Sequence, residues 1–497
     1  MSALPAETLP PQEEKQMDSI IDQLVSHVLD TPFETFSRDD IGAAKKRLID
    51  ALGCTVSGAG MSGNAAMLNV VRDWGGAPQA TVLGLGHKLP LPYAAMINSL
   101  QTRSFDFEVC GPEPEGINKG KMVGHVASTT EPTALNVGEF THASGKEMLS
   151  AVILGGDVAA RVSVSNTFNF DADFEVCGTS NAFGAAAVAG RLMRLDHDQL
   201  RNAFGILVNL MAGSYQGIWD GVDSFKLPGA SAAYNGILSC QLSLKGFAGI
   251  RDAFESRLGY FNLYCADPHP ENMLADLGTL FYVKGQHKMH PSCYGNHNPI
   301  ECALLLRADN NFTGEDVAEV FLDVPPNRID HFLNQNATEE DLQPKFLFTI
   351  PYAVANALYR GKPQLEHYTE GFIHDPAVLD LTTRVKLRPG LPAGKNHAIK
   401  MTIHLKDGRA VETYREDPLG WLDTPASHED IVDKYWRNIH FSGLVPEDMA
   451  EQALSLIENL EQLEDVSELA AQLTRRTPCR VSTLESDTHP EGKGQEK

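Results

Sequence analysis

The chain has 497 residues, 42% of them hydrophobic, which is ample for a sizeable buried core and for more than one domain. Its 65 acidic and 41 basic side chains leave a formal charge of −24, so neither nucleic acid nor an anionic membrane surface is expected as a partner. No apolar run approaches the roughly 18 to 20 residues that span a bilayer, and the start MSALPAETLPPQEEKQMD is acidic and proline-rich, unlike a secretory signal.

Residues 1–16 are short of large apolar side chains and are expected to be disordered. From 17 to 283 the pattern is repeatedly helical, in SIIDQLVSHVLD, DIGAAKKRLIDALGCTVSGAG, YAAMINSLQTRSF and PTALNVGEFTHASGKEMLSAVILGGDVAARVSV, each with apolar residues three and four apart. TSNAFGAAAVAGRLMRL and ASAAYNGILSCQLSLKGF are more apolar than a surface helix, and their small residues suit close helix packing. GLGHKL lacks the third glycine and the βαβ context of a dinucleotide fingerprint, so it counts as a turn.

The texture changes over 284–416. Here β-branched runs such as VAEVFLDV alternate with one strong helix, FLFTIPYAVANALYRG, and AIKMTIHLKDGRAVETY reads as a hairpin about its Asp-Gly turn. Helical periodicity returns over 417–476, in SHEDIVDKYWRNI and PEDMAEQALSLIENLEQLEDVSELAAQL, and 477–497 is again expected to be disordered. The expected fold is mainly α: a large all-helical domain with a smaller α/β lid domain inserted before its C-terminal return. The eight cysteines form no CxxC pair and read as free thiols in a reducing cytoplasm.

One stretch breaks the helical pattern. Ser104 to Phe140 reads SFDFEVCGPEPEGINKGKMVGHVASTTEPTALNVGEF, too polar and glycine-rich in its middle for the core helix its flanks imply. Asp106 and Glu108 stand at one lip of the gap and His125 at the other. The plainer reading is a helix-end aspartate and a loop histidine satisfied by backbone. The chemical one is a carboxylate and an imidazole that move a proton next to a substrate carboxylate.

The order of local motifs resembles the MmgE/PrpD family, which includes 2-methylcitrate dehydratases, cis-aconitate decarboxylases and iminodisuccinate epimerases. The resemblance rests on AKKRLIDALGCTVSGAG, ATVLGLGHKLPLPYAAMINSLQTRSFDFE, CGTSNAFGAAAVAGRLMRLD, AAYNGILSCQLSLKGFAGIRDAFE and KFLFTIPYAVANALYRG, in that order over more than 300 residues. It implies the same helical domain with an inserted lid, a homodimer, and an active site without a cofactor. Asp106 falls on the first aspartate of a DFDDT-like segment, Glu108 replaces the next acid, and His125 is the counterpart of a loop histidine. The loop is longer than the family's usual one and no proline follows the histidine.

Glu175 stands where the family commonly has a histidine. An ionised glutamate cannot donate a hydrogen bond there, which points to an amine-bearing or less carboxylated substrate, to a second acid/base group, or to a loop turned to solvent. Lys226 and Lys288 match family lysines, the first as a catalytic charge beside a developing enolate and the second as a substrate ligand. His287, His290, Cys293 and His297 show no recognised ligand spacing, so no metal is expected. The implied activity is a lyase for a small di- or tricarboxylate, with dehydration of a 2-methylcitrate-like acid ahead of decarboxylation of an aconitate-like one. An epimerase of a small dicarboxylate and an inactive carboxylate-binding homologue, the latter suggested by Glu108, Val109 and Glu175, are the alternatives.

Overall fold

The computed structural model describes residues 19–169, 173–395, 397–421 and 423–475. The two tails expected to be disordered lie outside the described residues. Helices begin where the sequence supplies caps: Ser37 with Asp40, Ser144 with Glu147 and Ser427 with Asp430 each close a reciprocal capping box. The main helices of the first part are Ile20–Asp30, Arg38–Ser57, Leu91–Thr102, Ala127–Thr141, Gly145–Val164, Ser180–Leu192 and Leu227–Leu244. The stretch 132–164, which reads as one helical pattern, is two helices, because His142 turns left-handed at φ 54° and Ser144 starts the next.

Small residues set how closely these helices approach. A Cβ added to Gly184 would meet Gly155 O at 2.7 Å, and one added to Gly155 would meet Gly184 O at 2.9 Å, so the helices Gly145–Val164 and Ser180–Leu192 touch through backbone. The resulting apolar core runs from Ile20 to Met289 and is rejoined by Ile431, Tyr435, Ile439 and the residues up to Leu473.

Strands are few. β1 (Ala80–Val82) and β2 (His87–Leu89) form a short antiparallel pair joined through Gly84 and Gly86, both at positive φ, so the first half of GLGHKL is the expected turn and the second half is strand. β3 (Val317–Val324), β4 (Val385–Pro389), β5 (Ile399–Leu405) and β6 (Ala410–Arg415) make one sheet in the order β4-β3-β5-β6. β3 runs parallel to β4, and the chain crosses between them through the helices Ile350–Arg360 and Pro376–Thr382; the other pairings are antiparallel. Ile399, Met401, Ile403 and Leu405 alternate inward on β5, and their cluster takes in Phe105, Phe107, Tyr215, Ile218 and Phe225 from the helical part. The fold is mainly α with a small α/β region. No helix among the described residues is long and apolar enough to cross a membrane.

Candidate active site

The interruption after the helix Leu91–Thr102 is ordered by its neighbours rather than by a helix of its own. Segment 110–113 is sandwiched: Cys110 and Gln286 exchange backbone hydrogen bonds of 3.0 Å, Gly111 N donates to Gly124 O at 3.1 Å, and Glu113 N donates to Lys284 O at 2.7 Å. His125 follows directly, its carbonyl accepting from Ser128 Oγ at 2.7 Å and Asn181 Nδ2 at 3.0 Å. On the other side Asp50, fully buried, accepts from Val109 N at 2.9 Å and from Lys434 Nζ at 2.6 Å. Lys434 Nζ also donates to Phe107 O at 2.6 Å, and His287 Nδ1 lies 2.9 Å from Asp50. Glu108 is therefore gripped at both flanking peptide groups.

This scaffold gathers five charged or titratable side chains. Asp106, at a positive φ of 47°, forms a close ion pair with Arg103 and lies 2.9 Å from Lys288 Nζ. His125 Nδ1 is 2.9 Å from Glu108 Oε1, and its Nε2 is 3.6 Å from Asp106 Oδ1. Arg103 also reaches Glu108 at 3.3 Å. Although burial works against it, Arg103 and His125 hold the Glu108 carboxyl well below the usual range. Burial, with Arg103 and Lys288 nearby, pushes His125 down to about 3, so its ring is neutral at neutral pH. With Glu108 ionised, Nδ1–H donates to it and Nε2 is the free acceptor.

The cluster faces a cavity of about 1140 Å³ whose walls include Arg103, Asp106, Cys110, Glu113, His125 and Glu175 from the first half of the chain. Gln286, Cys293, Tyr294, Arg328, Lys395, His397 and Trp421 close it from the second. Within the cluster the His125 side chain is 20% exposed, against 4% for Arg103 and 0% for Asp106 and Glu108, so the imidazole is the member most open to the cavity. Glu175 is buried on the same cavity wall, and burial outweighs nearby Arg103 to raise its carboxyl; one of its oxygens has no hydrogen-bond partner.

The structure thus brings together Asp106, Glu108, His125 and Glu175, with Lys288 behind Asp106, where its ammonium also donates to the Asp106 carbonyl at 2.5 Å. Glu108 and Lys288 are not on the cavity wall and support residues that are. Lys226 is placed elsewhere. Its buried ammonium donates to Ser62 O and, at 3.0 Å, to Asn64 Oδ1, and burial pushes it down to about 8. It is absent from the cavity wall because the loop Ser62–Asn64 takes its hydrogen bonds.

The cation on the cavity wall that pairs with Asp106 and Glu108 is Arg103, which sequence reading passes over because an arginine ending a helix is ordinary. The available signal was its spacing, three and five residues before the two acids. A metal-like grouping does occur, at Asp106, Glu108 and His125 rather than at His287, His290, Cys293 and His297, with ligand atoms within 4.8 Å of one another. Arg103 and Lys288 already hold its carboxylates, so a divalent ion would face two fixed positive charges.

A helical bundle with a small sheet, closing together on a buried acid–histidine–arginine cluster, is the setting in which comparison with known proteins becomes informative. Residues 22–273 match the MmgE/PrpD N-terminal domain and residues 290–462 the MmgE/PrpD C-terminal domain, and the chain belongs to this family. It is 22% identical over 469 residues to the cis-aconitate decarboxylase of Mus musculus, covering 90% of this chain and 93% of that one. It is 23% identical to the cis-aconitate decarboxylase-like protein oryM of Aspergillus oryzae, over 88% and 93% of the two chains. The Homo sapiens cis-aconitate decarboxylase is 23% identical over 80% and 82%.

Proposed function

We propose that this chain is a cofactor-independent lyase that decarboxylates a small unsaturated polycarboxylate of the aconitate kind. The observation that carries the reading is His125, neutral and the most exposed of its cluster on the cavity wall, set between two buried carboxylates and beside Arg103. Likeness to cis-aconitate decarboxylases over most of the chain favours decarboxylation over dehydration.

In such a reaction the bond from carbon to the departing carboxylate breaks. Its electron pair forms a new double bond, the old double bond shifts, and a proton is added at the far alkene carbon. Arg103 binds a retained carboxylate. The substrate's negative charge raises the basicity of His125, so the ring takes up a proton on Nε2 only in the loaded site and delivers it to carbon. Glu108 fixes the ring and offsets the imidazolium charge.

A second reading has an observation of its own: His125 and Glu175 both line the cavity, as an epimerase with two acid/base groups would need. Incubating the protein in deuterated water with cis-aconitate, 2-methylcitrate and iminodisuccinate separates them by proton NMR and carbon dioxide release. Carbon dioxide from cis-aconitate with one deuteron incorporated is the expected result. Water loss from 2-methylcitrate alone, or deuterium exchange with inversion and no loss of mass, would refute decarboxylation. Thermal stabilisation by one of these acids without turnover of any would make the chain a binding homologue.

A further inference from the structure

The cluster around His125 leaves a second part of the cavity without a role. Glu113 is 7% exposed and lines the cavity, yet its carboxyl takes no side-chain hydrogen bond among the described residues. Its own backbone is fixed by the hydrogen bond to Lys284 O. Tyr294, 9% exposed, enters the same cavity from the second half of the chain, and its buried hydroxyl has no hydrogen-bond partner. The ring is held in place by stacking on His297 at 4.8 Å and by contact with Trp421 at 5.3 Å. A buried, unpartnered hydroxyl on a stacked ring and a largely buried carboxyl on a backbone fixed by Lys284, both on the cavity wall, mark a place where a ligand completes the hydrogen bonding.

We propose that Glu113 and Tyr294 form a subsite that binds a second carboxylate of the substrate, each donating a hydrogen bond from its O–H. The proposal rests on the reading of the cavity as a polycarboxylate site, and it deepens that reading by requiring a ligand with at least two carboxylates. Burial pushes the Glu113 carboxyl up to about 8, so at neutral pH it is an acid with a proton to give. Burial above all keeps the Tyr294 phenol protonated, with Glu301 and Asp417 acting in the same direction. Acids held neutral can receive an anion that the same groups, ionised, would repel.

The test uses tricarballylate, a saturated tricarboxylate with no double bond to shift, titrated calorimetrically into the full chain between pH 6.5 and 9. Wild type is expected to bind, with Kd rising as the pH passes 8, by up to about tenfold per unit. Glu113→Gln keeps a donor but cannot ionise; it should stay within about threefold of wild type at pH 7 and lose the alkaline rise. Glu113→Ala should weaken binding by about 10- to 100-fold, and Tyr294→Phe by about 3- to 10-fold. The proposal is overturned if Glu113→Gln binds as weakly as Glu113→Ala, if the alkaline rise persists in Glu113→Gln, if Tyr294→Phe binds like wild type, or if wild type does not bind the probe. Because no turnover is needed, the expected pattern without carbon dioxide release from cis-aconitate would sink the decarboxylase reading and leave the subsite standing.

Discussion

Replacing Lys434 by methionine keeps the length of the side chain and deletes one buried charge. In the native chain that ammonium lies 2.6 Å from Asp50 and 2.6 Å from the Phe107 carbonyl, with no exposed surface. Breaking a buried ion pair from one side typically costs about 3 to 5 kcal/mol, because the remaining charge stays buried. Asp50 keeps Val109 N and His287, which places the expected loss at the lower end, about 3 kcal/mol. For a chain of this size that is a fall in Tm of about 3 °C by per-residue unfolding entropies. Asp50→Asn in the same background removes the stranded anion, so the double variant should recover about 2 kcal/mol relative to additivity. Function follows, since Phe107 and Val109 flank Glu108 and Glu108 holds His125: kcat should drop about 10- to 100-fold in Lys434→Met. The assay is a double-variant cycle of thermal melts with steady-state kinetics on all four proteins. Strict additivity, or Lys434→Met with wild-type Tm and kcat, would refute the view that this pair braces the catalytic loop.

His125→Ala should lower kcat by about 10²- to 10⁴-fold with little change in Tm, as expected for an acid–base group on a loop; near wild-type kinetics would show that the ring is structural. Lys226→Met should leave KM within about twofold and lower Tm, because its ammonium serves the loop Ser62–Asn64; a large KM rise would return it to the substrate. Stability should fall as the pH drops below about 6.5. Burial first of all holds His125, His290 and His331 at about 3 and His367 and His397 at about 4, so the unfolded chain takes up protons that the native one refuses. Glu108, held low, adds a loss once the pH falls through its ordinary range near 4.5; a Tm independent of pH between 7 and 4.5 would contradict these assignments. Dialysis against EDTA should leave turnover unchanged. Activity lost there and restored by one divalent ion would make Asp106, Glu108 and His125 metal ligands.

Local signals in the sequence located what local forces determine. Three-and-four spacing and Ser/Asp caps place the helices, and the Asp-Gly turn places the β5–β6 hairpin, with Gly408 at φ 92°. The parallel β3–β4 pairing has no such local mark, since its strands are 61 or more residues apart and meet only through a crossover. At the site, the interruption between Asp106 and His125 announces itself as a break in periodicity. Which cation lies beside it does not: the family resemblance points to Lys226 and passes over Arg103, and only packing turns Arg103 to the cavity and Lys226 to Ser62. Asp50 and Lys434 were invisible for the same reason. Glu113 lay in the open within GPEPEG, but nothing in its neighbours shows that burial will hold its proton.

The Asp50 to Lys434 pair also sets an order of events during synthesis. Its partners are 384 residues apart, so at about 5 to 20 residues per second the ribosome makes the carboxylate roughly 20 to 80 s before the ammonium that neutralises it. Until then the helix Arg38–Ser57 carries an anion destined for the interior with no cation to meet it, and the peptide groups around Glu108 lack half their anchors. A nascent chain that ends between Asp423 and Lys434 holds His125, Glu108, Arg103 and the rest of the cavity wall, yet lacks the brace that aligns them. On the proposed function, competence waits for the last helices, and a chain terminated in that window is expected to be inactive even though every cavity-lining residue has been translated.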